Sequence, residues 1–167
     1  AASGGLTWCV TDWILRGKPS ILGTISGVIS GLATVTAGAG LLGFGGACTA
    51  GVLGALVCYS ACTKVKSIIG YEDPLDVFGL YGVGGIVGVV LVGVVSSMGT
   101  QNKNGVGPMA DVVSQLIAVS ATVTWSACIS IVILMIIDKT IGLRVDSDGE
   151  VQGLDLSEHG EEGYLNV

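Results

Sequence analysis

Charged residues are scarce in this chain of 167 residues: they make up 12% of it, whereas a soluble domain carries about 25%. They are absent from three long windows, residues 19–63, 77–102 and 112–137, which hold 45, 26 and 26 residues. A membrane-spanning helix needs about 20 predominantly apolar residues. The first window therefore has room for two spans, and each of the others holds one.

Histidine is almost missing as well, and cysteine is present in an odd number. The single histidine is His159, and the five cysteines all lie in apolar segments (Cys9, Cys48, Cys58, Cys62, Cys128). Such a set indicates neither a disulfide framework nor a metal site. No nucleophile and base can be paired among the residues of the apolar windows, which disfavours an enzyme. We therefore expect no cofactor and no metal.

Glycine, by contrast, is abundant, with 28 residues spread among Val, Ile and Leu. Small residues let membrane helices approach each other closely. Gly23, Gly27 and Gly31 recur every four residues and form a small-residue stripe along one helix, and Gly84 and Gly88 do the same in a later one. The pattern predicts an all-α fold, a polytopic bundle of transmembrane helices.

The spans can be placed from the apolar windows and from Pro19, Pro74 and Pro108, because proline is favoured at the first position of a helix. Residues 1–143 are predicted to form the transmembrane region, and 144–167 an acidic tail. The region is expected to open on the end of an earlier span, in residues 1–15, so that the fold is incomplete at its N-terminus. Four full spans are predicted at about 20–36, 44–63, 75–98 and 109–138.

Lysine and arginine predict the orientation. Numbered along the chain, alternate connections share a side, and one side then holds six basic residues while the other holds only Lys103. The positive side is cytoplasmic. We therefore expect a multi-pass protein of the cell membrane with a cytoplasmic C-terminus. Trp8 and Trp13 flank the first cytoplasmic connection and suit an aromatic belt at the membrane surface.

Three acidic residues, Glu72, Asp73 and Asp76, cluster around the start of the third full span. A catalytic carboxylate pair is conceivable, but capping of the helix needs no pocket. We expect Asp73 at the N-cap, before Pro74, and Asp76 at the third helical position, beside free N–H groups. The alternative for Asp76 is a binding role at the mouth of a pore.

The tail carries seven acidic residues against one arginine, whereas residues 1–143 carry six of each sign. Net charge is −6, so nothing suggests binding to nucleic acid. Leucines and a tyrosine alternate with the tail's charges. Two interpretations stay open: a solvated acidic tail, or a docking segment for the membrane region or a partner.

Several segments resemble the ammonium transporters of the Amt/Mep/Rh family. Residues 16–23 (RGKPSILG) resemble the cytoplasmic loop that opens their eighth span, and residues 73–79 (DPLDVFG) with 82–85 (GVGG) resemble the start of their tenth. Residues 142–145 (GLRV) and part of the tail resemble their C-terminal region. The matching tail residues are Gly153, Leu154, Asp155, His159, Gly160 and Tyr164. The order and spacing of the segments agree with the family over essentially the whole chain.

The resemblance implies a fold of eleven spans, in two pseudo-symmetric halves of five and a long final helix. It implies a homotrimer with one pore in each subunit, through which ammonium passes after losing its proton. This chain would supply the end of span seven through span eleven. The permeant would be ammonium or ammonia, and a cytoplasmic nitrogen-signalling regulator is a possible partner of the tail.

One departure from the family concerns the pore. Its second pore histidine is expected between Leu80 and Gly82, where this chain has Tyr81, with Val77 one helical turn earlier on the same side. Imidazole titrates near pH 6.5, whereas a phenol ordinarily titrates near pH 10. Tyrosine can hold an amine by hydrogen bonds but relays protons poorly at neutral pH. The resemblance predicts an ammonium channel or transporter. The alternative, which the tyrosine at position 81 favours, is a non-conducting ammonium sensor of the same family.

Overall fold

The computed structural model describes residues 1–98 and 111–161, and the regular structure of these residues is entirely helical. The all-α prediction is confirmed. Two π-helical turns, Ala61–Val65 and Phe78–Gly82, lie directly before α4 and α5. The α-helices are α1 (Ala2–Arg16), α2 (Ile21–Thr36), α3 (Phe44–Ser60), α4 (Lys66–Ile69), α5 (Val83–Met98), α6 (Val112–Thr140), α7 (Ser147–Gln152) and α8 (Leu154–Glu158).

Three helical stretches within the described ranges are long and apolar enough to cross a membrane: Phe44–Ile69, Phe78–Ser96 and Val112–Thr140. Helix α2 is apolar but has 16 residues. At 1.5 Å per residue it is about 24 Å long, against a hydrocarbon core of about 30 Å. The prediction of a polytopic membrane protein is therefore confirmed. Helix α2 coincides with the span predicted at about 20–36, and a full crossing of the membrane by this helix stays a prediction.

The chain divides into two compact units, Ala1–Ala121 and Thr122–Val167. In the first unit, α1 and α2 form a hairpin. Gly17, in the left-handed region at φ 78°, ends α1, and its N–H donates to the carbonyl of Trp13. Ser20 begins α2, because its Oγ accepts a 2.9 Å hydrogen bond from the N–H of Gly23.

The glycine stripe of α2 packs against α1. A methyl group built on Gly27 would lie 2.5 Å from Cβ of Trp8 and 2.6 Å from the carbonyl oxygen of Gly4. One built on Gly31 would lie 3.3 Å from Cα of Gly4. The two backbones meet because both helices present glycine at the crossing, as the sequence pattern predicts.

Helix α3 continues through the first π-helical turn into α4, and the two π-helical turns lie side by side. Gly79 in the second turn faces Cys62 in the first so closely that a side chain at 79 would strike the Cys62 sulfur. The Cys58 thiol donates to the carbonyl of Leu80, at 3.7 Å. The buried apolar cluster of the unit forms around this contact, from Trp8, Cys58, Tyr59, Cys62 and Leu80.

The helix expected to begin at Pro74 begins with the π-helical turn at Phe78. Pro74 and Leu75 lie in a turn that is closed by the N–H of Asp76 donating to the carbonyl of Asp73. Proline favours this turn position. The helix start is displaced because the Asp73 carboxylate accepts from Val77 and Phe78, beyond the turn.

The second unit contains the C-terminal part of α6 and the tail. Gly142, at φ 89°, follows α6, and Gly153, at φ 94°, separates the two short helices α7 and α8. Arg144 donates through Nε to Oε1 of Glu150, at 2.7 Å. This hydrogen bond lowers the pKa of the Glu150 carboxyl.

Candidate functional site

An open groove of about 420 Å³ lies on the first unit, where α2 faces the second π-helical turn. Its lining is mostly apolar and consists of Ile29, Leu32, Ala33, Thr36 and Tyr81. Small-molecule sites in proteins are commonly apolar clefts with a few placed polar groups. The groove has two such groups, the hydroxyls of Thr36 and Tyr81.

The Thr36 hydroxyl is held by its own helix. Its Oγ1 donates a 2.6 Å hydrogen bond to the carbonyl of Leu32, which leaves its oxygen able only to accept from a molecule in the groove. Tyr81 is 57% exposed, and its hydroxyl can both donate and accept. The pair therefore suits a small molecule with N–H groups.

The π-helical turn Phe78–Gly82 carries Tyr81 into the groove. In this turn the N–H of Val83 donates to the carbonyl of Phe78, five residues earlier. Val77, which the sequence pairs with Tyr81 on one α-helical face, is half-exposed and is not among the residues that line the groove. A role for Val77 in a pathway stays a prediction.

The two aspartates before this turn have different partners. Asp73 accepts from the N–H groups of Val77 and Phe78, at 2.9 Å each. Asp76 lies outside the helix, in the left-handed region at φ 55°, and its carboxylate accepts from Lys66 at 2.7 Å. It therefore binds a lysine and not the helical N–H groups that the sequence suggested.

A buried carboxylate in the α1–α2 hairpin is a feature that the sequence reasoning missed. Asp12 is fully buried, its Oδ2 accepts from Ser20 Oγ at 3.3 Å, and its Oδ1 lies 3.4 Å from Arg16 Nε. Trp8 is buried beside it and packs edge-on against Tyr59, so only Trp13 of the two tryptophans is exposed as a membrane-surface residue would be. The four-residue spacing of Trp8, Asp12 and Arg16 was the available signal.

The tail residues singled out from the sequence lie around its two short helices. Gly153 donates its N–H to the carbonyl of Gly149, and Leu154 and Asp155 open α8. His159 follows α8, and Gly160 has a positive φ of 64°. Tyr164 lies outside the described residues. Within 1–98 and 111–161, no three His, Cys, Asp or Glu side chains are grouped so as to hold a metal ion.

Solved structures with a similar arrangement of helices are known. Mep2 from Candida albicans matches 88% of this chain with a TM-score of 0.73 and 31% sequence identity, and the match covers 34% of the Mep2 chain. Mep2 from Saccharomyces cerevisiae matches with a TM-score of 0.72 and 29% identity. The helices of this chain are therefore arranged as in part of these larger proteins.

Curated relatives agree with the structural match. A putative ammonium transporter of Methanothermobacter thermautotrophicus is 38% identical over 98% of this chain and 42% of its own length. An ammonium transporter of Aquifex aeolicus is also 38% identical, over 98% of this chain and 39% of its own length. The chain thus spans about two fifths of these relatives. The model of the Ammonium Transporter Family matches residues 1–164, and this chain belongs to that family.

Proposed function

We propose that the protein conducts ammonium or ammonia across the cell membrane, and that the groove with Tyr81 is this chain's share of the pathway. The observation that carries the proposal is that Tyr81, together with Thr36, lines a mostly apolar groove between two apolar helices. Membership of the family and the similarity to ammonium transporters support the substrate. In lipid, a polar group in such a place needs a partner, and a permeant with N–H groups supplies one.

The proposal is tested by removing the hydroxyl oxygen of Tyr81. In the full-length protein reconstituted into vesicles, Tyr81→Phe should lower ammonium uptake about two- to tenfold, which is the net value of one hydrogen bond. Tyr81→His should make uptake depend on pH between about 6 and 8, because imidazole titrates there. Tyr71→Phe is the matched control, since Tyr71 is outside the groove and its ring packs against Phe78 at 5.8 Å in either form.

Equal uptake by the wild type, Tyr81→Phe and Tyr81→His would remove Tyr81 from the pathway. The alternative function is an ammonium sensor that does not conduct, and the tyrosine in place of the family's pore histidine favours it. A sensor would show wild-type uptake no higher than that of empty vesicles. In that case Tyr81→His would be the variant to restore conduction.

We also propose that the tail is cytoplasmic and that the subunits form a trimer, with the acidic tail as a site for a cytoplasmic regulator. The six-to-one division of basic residues between the two sides supports the orientation. Single cysteines at Ser67 and Ser157 should react only with reagents that reach the cytoplasm, and one at Asn102 only from outside. Labelling of position 157 from outside would overturn the orientation, and a purified particle of another size would overturn the trimer.

A further inference from the structure

Lys66 connects the end of the long helix Phe44–Ile69 to the loop before Tyr81. Its Nζ donates to the main-chain carbonyl of Asp73. It also donates to Oδ1 of Asp76, over a distance of 2.7 Å. About a quarter of the Lys66 side chain and a third of the Asp76 side chain are exposed, so the pair is partly shielded from water. A lysine in the last turn of a helix commonly bonds the free carbonyls of its own helix. Lys66 instead bonds residues seven and ten positions further along the chain.

Asp76 has an uncommon backbone conformation. Among residues 1–98 and 111–161 it is the one non-glycine residue with a positive φ, at 55°. The left-handed region is unfavourable for residues with a Cβ, although aspartate and asparagine enter it more readily than others. Such a conformation persists where neighbouring groups hold it. Lys66 holds the side chain of Asp76, and the N–H of Leu80 holds its carbonyl at 2.8 Å.

The segment that follows Asp76 connects it to the groove within five residues. The hydrogen bond between Asp76 and Leu80 is the first of the helix, and Tyr81 is the next residue. The same turn is fixed on its inner side, where Gly79 lies against Cys62 and the Leu80 carbonyl accepts from Cys58. The turn is therefore anchored to Phe44–Ile69 both at the Lys66 end and at the cysteines.

We infer that Lys66 is a positioning residue for the pathway: by holding Asp76 in its left-handed conformation, it sets how the π-helical turn presents Tyr81 to the groove. The inference rests on the proposed function of Tyr81. Lys66 is not part of the groove lining and need not touch the permeant.

The experiment compares Lys66→Met with Lys64→Met in the full-length protein. Lys64 is exposed and two residues away, so the control removes the same charge from the same helix. Hydrogen exchange measured by mass spectrometry should show the amides of residues 77–82 about five- to tenfold less protected in Lys66→Met, the value of a partly shielded ion pair. Protection in Lys64→Met should stay within about twofold of the wild type.

Uptake is measured on the same samples, with ammonium and methylammonium as permeants. Lys66→Met should change the ratio of the two uptake rates, because a displaced Tyr81 alters the fit of the larger ion, and Lys64→Met should not. Asp76→Asn is the second variant. It tolerates the left-handed conformation but weakens the contact with Lys66, and should shift both measurements in the same direction as Lys66→Met.

Three results would overturn the inference. They are unchanged protection in Lys66→Met, equal loss of protection in Lys64→Met, and lost protection with an unchanged uptake ratio. Tyr81→Phe in the same assay separates these from a failure of the proposed function. If Tyr81→Phe alters uptake and Lys66→Met does not, only the positioning role fails. If neither alters uptake, the groove is not the pathway.

Discussion

Gly88→Val is expected to abolish correct packing of the helices, and with it the yield of inserted, monodisperse protein. A side chain at 88 would run into the backbone of Thr34 in α2, with the carbonyl oxygen in direct conflict and the carbonyl carbon 3.0 Å from the new Cβ. No rotamer relieves this contact, because backbone atoms cannot move aside without shifting α2. Overpacking ordinarily costs about 1–3 kcal/mol, and a clash with backbone lies at or above the top of that range.

The matched control for Gly88 is three residues away in the same helix. A methyl group at Gly85 would have no atom within 4 Å, so Gly85→Val adds the same apolar volume without the conflict. Yield after purification in detergent and the midpoint of thermal unfolding are the measurements. Comparable yield and midpoint for the two valine variants would show that α2 and α5 do not cross at Thr34.

Arg16→Met is the second substitution with a large expected effect. It leaves the fully buried carboxylate of Asp12 with only the hydroxyl of Ser20, at 3.3 Å. Removing one member of a buried ion pair costs about 3–5 kcal/mol, and we expect about 2–4 kcal/mol here, since the Arg16 side chain is 58% exposed. The variant should therefore unfold at a clearly lower temperature in detergent.

Two further variants isolate the ion pair at Asp12. Lys18→Met removes an exposed charge two residues away from Arg16, in the connection between α1 and α2, and should leave the unfolding temperature nearly unchanged. Asp12→Asn combined with Arg16→Met removes both charges while keeping the shape of the side chain at position 12. The double variant should recover most of the unfolding temperature that Arg16→Met alone loses. If Arg16→Met and Lys18→Met have the same midpoint, the carboxylate does not depend on the guanidinium.

The helices themselves can be predicted from the sequence, because the signals for them lie within each segment. Long stretches without charge predict apolar helices whatever their neighbours are, and the glycine spacing of α2 predicts its contact face. Gly27 and Gly31 lie against Gly4, although Gly4 belongs to a segment that the sequence marks only as apolar. The partner of a small-residue stripe depends on tertiary packing, and a periodic pattern does not contain it.

Polar residues near the helix ends were harder to predict. Asp73, Pro74 and Asp76 indicate a helix start at Pro74, but Pro74 lies in a turn, the helix begins at Phe78, and Asp76 bonds Lys66. Trp8 suits a membrane surface by its position in the chain, yet it lies in the core beside Asp12. In both places a contact between different helices decides which of two locally reasonable roles a residue takes.

Only part of the groove could be predicted from the sequence. The position of Tyr81 came from resemblance to a family, whereas the hydroxyl of Thr36 and the apolar wall of α2 came from the structure. The departure of Val77 from the groove lining has a local cause that periodicity cannot reveal. The spacing of hydrophobic residues indicates which face of a helix is buried. It does not show whether a main-chain N–H donates to the carbonyl four residues earlier, as in an α-helix, or five residues earlier, as in a π-helical turn.

The π-helical turn beneath Tyr81 has a consequence for changes in chain length. Such a turn holds one residue more than an α-helix needs to connect the same two ends. A deletion of one residue between Phe78 and Gly82 could be absorbed by conversion to a plain α-helix, which keeps α5 and its glycines in phase with α2. The same deletion within α5 would rotate all residues on one side of it by about 100° and separate Gly88 from Thr34. In this helix, one-residue gaps between homologous chains should therefore accumulate at the turn and be absent from the segment after it.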